Sequence, residues 1–152
     1  MEKAVIEFIE KAPFLVMASS DNHGNCDASP RGGLPGFVKV INKKTLLIPD
    51  IKGNRLFHSY QNISKNGKVG LVFMIPGNDR TVRVNGTVQI LQKEETFELL
   101  KTVEVKKTDK DAILIQGLLL KVEEAYPHCA RAFTFSDLWN TEVIKTNKSL
   151  LE

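Results

Sequence analysis

Residues 80–91, RTVRVNGTVQIL, alternate apolar and polar side chains more cleanly than any other part of the chain. Val82, Val84, Val88 and Ile90 fall on one side of an extended backbone, and the residues between them are mostly polar. An alternating strand of this kind packs one face on a core and leaves the other face to solvent or a ligand. The stretch therefore predicts a half-buried β-strand.

Further strand patterns lie on both sides of this stretch. They cover residues 14–19, 26–31, 37–41, 45–48, 68–75 and 118–122. Helical patterns cover residues 1–11, 54–67 and 93–105, with a short helix within 129–139. Short connections between the strands favour antiparallel neighbours and leave little room for the crossover helices of a parallel sheet. We therefore expect a mainly β (α+β) fold with peripheral helices, a six- to seven-stranded antiparallel barrel that is closed or nearly closed.

Length and charge narrow the classes of function. The chain has 152 residues and a net charge of +3, so we expect one domain over residues 1–152 and no dedicated nucleic-acid surface. No apolar run approaches the roughly 18–20 residues of a membrane span, and no signal-peptide pattern begins the chain. With two cysteines far apart in sequence, we expect a cytoplasmic protein with reduced thiols and no membrane partner.

Three polar clusters suggest an anionic ligand. Arg31 follows Ser29 and Pro30 and enters a glycine corner, where Gly32 and Gly33 would let a ligand approach the backbone. Residues 49–55, PDIKGNR, stand where a strand ends and a helix begins, a favourable place for a phosphate. Arg83 and Asn85 form the third cluster, on the polar face of their strand.

Each cluster also has an ordinary structural explanation. Arg31 would serve equally as a partner of Asp27 or Asp50, and Arg83 as a solvated strand residue. Arg55 in the first turn of a helix opposes the helix dipole, which favours an anion nearby.

The motifs of several common enzyme classes are absent from the sequence. It contains no GxxxxGK[ST], GxGxxG, HExxH or GxSxG pattern, which argues against P-loop, dinucleotide-fold, zincin and hydrolase sites. A zinc site would have to combine His23, Cys26, His128 and Cys129. Because neighbouring strand residues point to opposite faces, His128 and Cys129 would converge only in a turn, so we expect no metal site.

The chain resembles the pyridoxamine 5′-phosphate oxidase-like FMN-binding split barrels, and within them a branch of small FMN-dependent flavoproteins. The resemblance runs through FLVMASSDNHGNCDASPRGG, TLLIPDIKGNR, KVGLVFMIPG, RVNGTVQI and the closing HCARAF…LW. It implies a split β-barrel homodimer with two FMN sites at the subunit interface. The implied function is an FMN-dependent oxidoreductase with an unassigned small-molecule substrate and electron donor. The alternative is a non-catalytic flavin- or haem-binding protein of the same fold.

The resemblance also implies which residues hold FMN. The phosphate would be gripped by Lys52, Asn54 and Arg55 after the TLLIPD strand, together with Arg31. Ser29, Pro30 and Gly32 would run along the flavin ring, which would also meet the backbone of Ile48, Pro49 and Asp50. The remaining residues implied are Arg83, Asn85 and Arg131.

The chain departs from the oxidase proper at two places. Lys-Gly-Asn-Arg replaces its Ser-Arg-Lys phosphate motif, and the chain ends TEVIKTNKSLLE without the C-terminal residues that hold pyridoxal phosphate. The comparison thus favours FMN binding over vitamin B6 oxidation. It selects no catalytic residue, since His128, Cys129 and Asp50 would all be able to assist proton transfer.

Overall fold

The computed structural model describes residues 1–51, 58–101 and 113–150. Its helices are α1 Lys3–Lys11, α2 His58–Lys65, α3 Lys93–Lys101, α4 Arg131–Phe135 and α5 Thr141–Ser149. Its strands are β1 Phe14–Ser20, β2 Cys26–Gly32, β3 Lys39–Asn42, β4 Thr45–Ile51, β5 Lys68–Met74, β6 Thr81–Leu91 and β7 Leu114–His128. The strands form one antiparallel sheet in the order β2-β1-β5-β6-β7-β4-β3. The predicted class and strand number are confirmed.

One hydrophobic core lies on the concave side of this sheet. The strand that the sequence marked most clearly, β6, contributes Val82, Val84 and Val88, all buried. Met17 of β1 and Leu46 of β4 belong to the same cluster, although their strands are far apart in the strand order. The sheet therefore curls around the core. The other core members include Val5 and Ile9 of α1, Leu15, Ile48, Leu71, Phe73, Leu118 and Leu120.

Strand β7 is much longer than the sequence pattern indicated. It has 15 residues and continues past the predicted end at Val122 to His128. The extra residues pair with β6, Glu124 opposite Asn85 and Tyr126 opposite Arg83. The segment EEAYPH lacks apolar alternation, and the strand is formed there because β6 offers it a partner edge.

Two helices also differ from prediction. Helix α5 was not predicted, although Asn140 caps its first turn by accepting hydrogen bonds from the backbone N–H groups of Glu142 and Val143. In α3 the buried face is not the one that apolarity alone indicates, because Phe97 is 54% exposed while Thr96 is fully buried. Thr96 packs against Gly117 of β7, where an added Cβ would lie 2.6 Å from its side chain. The missing side chain lets the helix sit closely there.

Helix α2 rests on the β1–β2 hairpin through polar contacts. The Ser59 hydroxyl donates to Asp27 at 2.8 Å, and the Asn62 amide donates to Ser19 at 3.2 Å. Ile63 adds a buried apolar contact from the same helix. The helix pattern was predicted over residues 54–67, and residues 54–57 of that range lie outside the described residues.

Candidate functional site

A polar cluster surrounds Asp50 near the end of β4. The Gln116 Nε2 of β7 donates to Asp50 Oδ2 at 3.4 Å, and the half-buried Tyr60 of α2 lies near both residues. Burial, together with the neighbouring Asp50, raises the pKa of Tyr60 far above its usual value. The phenol therefore keeps its proton beside the carboxylate. We call Asp50, Tyr60 and Gln116 the Asp50 cluster.

Arg31 lies near this cluster, and no described residue forms an ion pair with it. Its charge acts on the Tyr60 hydroxyl, and its side chain is half-buried. Of the ion pairs formed by residues 1–51, 58–101 and 113–150, none involves Arg31. The two carboxylates suggested as its partners accept from other side chains, Asp27 from Ser59 and Asp50 from Gln116. Within the described chain, the guanidinium is available to an anion from outside.

The predicted site residues do not share one face of the sheet. Cross-strand neighbours point to the same side. The ladder β2-β1-β5-β6 places Arg31 in the same row as the buried Val82, and Pro30 in the same row as Arg83. Arg31 and Ser29 therefore point to the core side of the sheet. Pro30, Gly32, Arg83 and Asn85 point to the outer side. Within one chain, Arg31 and Arg83 face away from each other.

An open groove of about 570 Å³ crosses the outer face. Its floor contains the small residues Ala18, Ala28 and Gly70, which are direct cross-strand neighbours. Asn85 and Glu123 also line it.

A β-bulge shapes one wall of this groove. The register between β6 and β7 shifts after Asn85, which leaves Glu123 as the extra residue. Glu123 binds Lys68 at 2.5 Å and accepts from Thr87 at 2.6 Å, and the bond from Lys68 is the main reason that its pKa is lowered. Glu124 accepts from the Asn85 amide at 2.9 Å. Both carboxylates along this wall thus have donors.

Apolar side chains lie beside one end of the groove on the outer face. An antiparallel sheet with one face in water normally carries polar residues there. The half-buried apolar residues on this face are Phe14, Val16, Val72, Met74 and Tyr126. The outer face therefore has the composition of a surface that is partly covered.

The remaining predicted residues have separate positions. Ile48 is 2% exposed, so its side chain is not available to a ligand, and the neighbouring Pro49 pairs with Gly117 of β7. Arg131 lies on α4, with its guanidinium 5.0 Å from the centre of the Phe135 ring. Lys52, Asn54 and Arg55 lie outside the described residues.

Contacts within the loop explain one of the two glycines that follow Arg31. A Cβ added at Gly33 would lie 2.8 Å from the Phe37 Cβ, so the loop itself requires glycine there. At Gly32 an added Cβ would have only ordinary contacts, 3.5 Å or more. The hypothesis that a ligand approaches the backbone thus concerns Gly32, since Gly33 is explained by Phe37.

In the described parts of the chain, no three His, Cys, Asp or Glu side chains come together to hold a metal ion. The thiol of Cys129 lies 4.0 Å from His128 Nδ1, and Cys26 is exposed on β2. No helix among the described residues is long and apolar enough to cross a membrane.

Comparison with known proteins places this geometry in a family. The sequence profile of pyridoxamine 5′-phosphate oxidase matches residues 1–129. The chain belongs to the pyridoxamine 5′-phosphate oxidase family. The resemblance inferred from the sequence is confirmed, and the curled seven-stranded sheet is a split barrel of this family. No protein with a curated description matches the sequence.

Solved structures share the fold at low sequence identity. HupZ from Group A Streptococcus is 16% identical, covering 84% of this chain and 93% of that one, with a TM-score of 0.60. A candidate pyridoxamine 5′-phosphate oxidase from Lactobacillus delbrueckii is 19% identical over 83% and 93%, with a TM-score of 0.60. An FAD binding protein from Mycobacterium smegmatis is 10% identical over 84% and 94%, with a TM-score of 0.54. At these identities the likeness shows the fold alone.

Sequence reasoning missed Tyr60 and Gln116. Tyr60 lies within the helical pattern of residues 54–67, which marks no polar role for it, and Gln116 precedes the predicted last strand. They meet at Asp50 because α2 and β7 both reach the end of β4. No spacing in the sequence signals that meeting, since its members are separated by up to 66 residues.

Proposed function

We propose that this protein binds FMN between the two subunits of a homodimer and acts as an FMN-dependent oxidoreductase on a small molecule. The observation that carries the proposal is Arg31, a half-buried guanidinium without a carboxylate partner in the described chain. The membership of the pyridoxamine 5′-phosphate oxidase family supports it. An FAD binding protein among the structures of the same fold supports the choice of a flavin.

The residues present fit the phosphate end of FMN. A guanidinium offers a planar fork of donors that matches phosphate oxygens, and it keeps its charge at any physiological pH. In sequence, Lys52 and Arg55 follow Asp50 closely and would add two cations. Asn54 would donate from its amide. The phosphate would thus be held mainly by Arg31, Lys52, Asn54 and Arg55.

The two faces of the sheet support a site made by two subunits. Arg31 points to the core side, and Arg83 and Asn85 point to the outer side. A flavin contacted by both sets would therefore take Arg31 from one subunit and Arg83 with Asn85 from the other. The half-buried apolar residues of the outer face give the second copy a surface to cover.

The rest of the site would hold the flavin ring. Ser29, Pro30, Gly32 and the backbone of residues 48–50 would lie along it, with Arg131 as a further cation near the interface. When bound, FMN supplies the transfer of a hydride or of electrons between a donor and the substrate. The chain's own residues bind and orient the cofactor, and we assign no catalytic side chain.

The test begins with the absorption spectrum and size-exclusion profile of the purified protein with added FMN. We expect an oxidised-flavin spectrum on a dimer, bleached by a suitable reductant such as a nicotinamide nucleotide. Dilution that dissociates the dimer should release FMN, because binding and association are linked. A colourless protein that ignores added FMN, or a monomer that binds it with full affinity, would contradict the proposal. A bound flavin that no donor reduces would instead favour a flavin-binding protein without turnover.

The role of Arg31 is tested by comparing FMN with riboflavin, which lacks the phosphate. Arg31→Gln should weaken FMN binding by roughly 10- to 100-fold, the range for a lost hydrogen bond to a charged group, and leave riboflavin binding nearly unchanged. Arg80→Gln is the matched control, since Arg80 is an exposed arginine in the turn before β6. If the ratio of the FMN affinity to the riboflavin affinity were the same in Arg31→Gln and Arg80→Gln, Arg31 would have no role in binding the phosphate.

A further inference from the structure

The β-bulge in β7 places two consecutive glutamates on the outer face of the sheet. The register between β6 and β7 shifts directly after the pair Asn85–Glu124, which leaves Glu123 as the extra residue. Neighbouring residues of a regular strand would point to opposite faces. Here both glutamates bond side chains of the outer face, Glu123 that of Lys68 and Glu124 that of Asn85. The bulge therefore aims Glu124 at the amide of Asn85.

The hydrogen bond between these two side chains fixes which way the amide faces. Asn85 Nδ2 donates to Glu124 Oε2 at 2.9 Å. A carboxylate accepts hydrogen bonds, so the opposite orientation of the amide would bring two acceptors together. The Asn85 carbonyl oxygen, Oδ1, therefore faces away from Glu124.

That oxygen lies above the floor of the outer groove. A Cβ added at Gly70 would lie 3.2 Å from Asn85 Oδ1, and Gly70 is one of the small residues that form the floor. Within residues 1–51, 58–101 and 113–150, the hydrogen bond of the Asn85 side chain is the one to Glu124, and no side chain donates to its Oδ1. The groove thus contains an oriented acceptor that a ligand can use.

We propose that Glu124 is a positioning residue, which turns Asn85 so that its carbonyl oxygen accepts a hydrogen bond from the imide N–H of the flavin ring. The inference rests on the proposed FMN site, in which Asn85 contacts a flavin bound to the other subunit. It adds Glu124, which the family resemblance did not include, and it names the edge of the ring that Asn85 meets.

The chemistry of the flavin and the shape of the groove select this edge. The oxidised isoalloxazine carries its one N–H at N3, and its other polar ring atoms are acceptors. The floor beside the amide consists of Ala18 and Ala28 as well as Gly70, which are cross-strand neighbours. A flat ring can therefore approach Asn85 there without meeting a bulky side chain. The ribityl hydroxyls of the cofactor are also donors, but they belong to a flexible chain that needs no flat floor.

The test measures the dissociation constants of FMN and of FMN methylated at N3, which lacks the imide N–H, by flavin fluorescence with the full-length protein. The native protein should bind FMN about tenfold more tightly than the methylated compound, since the methyl group leaves the Asn85 oxygen without its donor. Asn85→Leu, which has no acceptor, should bind the two compounds alike.

Glu124→Lys tests the positioning role itself. A lysine ammonium only donates, so it would turn the amide around and point Nδ2 at the imide. The preference for FMN should then fall to about twofold or less. Glu124→Gln should keep most of the preference, because its side-chain carbonyl still accepts from Asn85. Both compounds carry the phosphate, so the change in protein charge acts on both affinities and cancels in their ratio.

Glu98→Lys is the matched control. Glu98 is an exposed glutamate of α3 that pairs with Lys101, so the charge changes equally at a distance from the groove. This variant should keep the tenfold preference. Because Glu124 is also exposed, its variants should fold, which circular dichroism checks.

Three results would overturn the inference. If the native protein bound both compounds equally well, Asn85 would not accept from the imide, and a ribityl hydroxyl would be the better candidate. A preference that survived in Asn85→Leu would assign the imide to another group. A preference lost in Asn85→Leu but kept in Glu124→Lys would mean that Glu124 does not orient the amide. In each case FMN still binds and the proposed function stands, whereas a native protein that binds neither compound would contradict both.

Discussion

Gly86 offers a direct test of the β-bulge that shapes the outer groove. It lies in β6 at the register shift, and a Cβ added there would lie 2.2 Å from the carbonyl oxygen of Lys121. Ordinary contact begins at 3.4 Å, so the substitution Gly86→Ala forces β6 and β7 apart by about 1 Å. Neighbouring strands lie only about 4.8 Å apart, and a shift of that size breaks one or two ladder hydrogen bonds.

The expected cost follows from those two effects. Overpacking typically costs about 1–3 kcal/mol, and each lost backbone hydrogen bond adds about 1 kcal/mol, so we expect about 3 kcal/mol. For a chain of this length that corresponds to a fall of roughly 6–12 °C in Tm. The side chain of Leu120, 3.2 Å from the added Cβ, can yield, but the Lys121 carbonyl belongs to the backbone of a central strand.

The assay is thermal and urea unfolding followed by circular dichroism, with Gly77→Ala as the matched control. Gly77 also has a constrained conformation, with φ at +79°, but an added Cβ there meets nothing within 4 Å. Its substitution should cost only about 1 kcal/mol, from left-handed backbone strain. If Gly86→Ala proved as stable as Gly77→Ala, the close approach of β6 and β7 at the bulge would be refuted.

Two further predictions concern the hairpin and the C-terminal helices. The pKa of Asp21 is lowered to about 2, from a model-compound value of 3.8, mainly because its carboxylate accepts a hydrogen bond from the Asn25 side-chain amide. A depressed carboxyl pKa stabilises the folded state above about pH 4, and this contribution is lost as pH falls toward 2. Urea midpoints of Asp21→Asn should therefore be lower at pH 7 and vary less with pH over this window; an unchanged pH dependence would contradict the assignment. Trp139 donates through Nε1 to the Asn78 carbonyl at 3.2 Å, so Trp139→Phe should lower the unfolding free energy by about 1 kcal/mol, and an unaltered urea midpoint would count against that bond.

Short-range sequence patterns were enough to predict the strands whose own residues alternate between apolar and polar. The alternation in β6 and the turns that link β1 to β2 and β3 to β4 identified these strands. In them, the polarity of a side chain indicates whether it is buried. The second half of β7 gave no such signal, because Glu123 lines the groove and Glu124 accepts from Asn85, so that both are held by partners on β5 and β6. Apolarity alone would place Phe97 inward, but Phe97 is exposed and the small Thr96 fits against Gly117 instead.

The site shows the same division between local and long-range information. Arg31 was singled out by its glycine corner, and its isolation from Asp27 and Asp50 needed the structure. That Arg31 and Arg83 point to opposite faces follows from three strand registers, which no single segment encodes. Tyr60 could be recognised only after α2 had been placed across the hairpin.

β2 and β3 are the two edge strands of the sheet, and the split of the barrel lies between them. These edges also bear on how copies of this chain avoid uncontrolled association. A sheet with two free edges exposes backbone donors and acceptors that can recruit a strand from another molecule, which is a common route to aggregation. Both edges here are poor templates. β3 has only four residues, and β2 carries Pro30, which lacks an N–H group, together with the charged Asp27 and Arg31. The two edge strands of the split barrel are therefore poorly suited to pairing with a strand from another molecule.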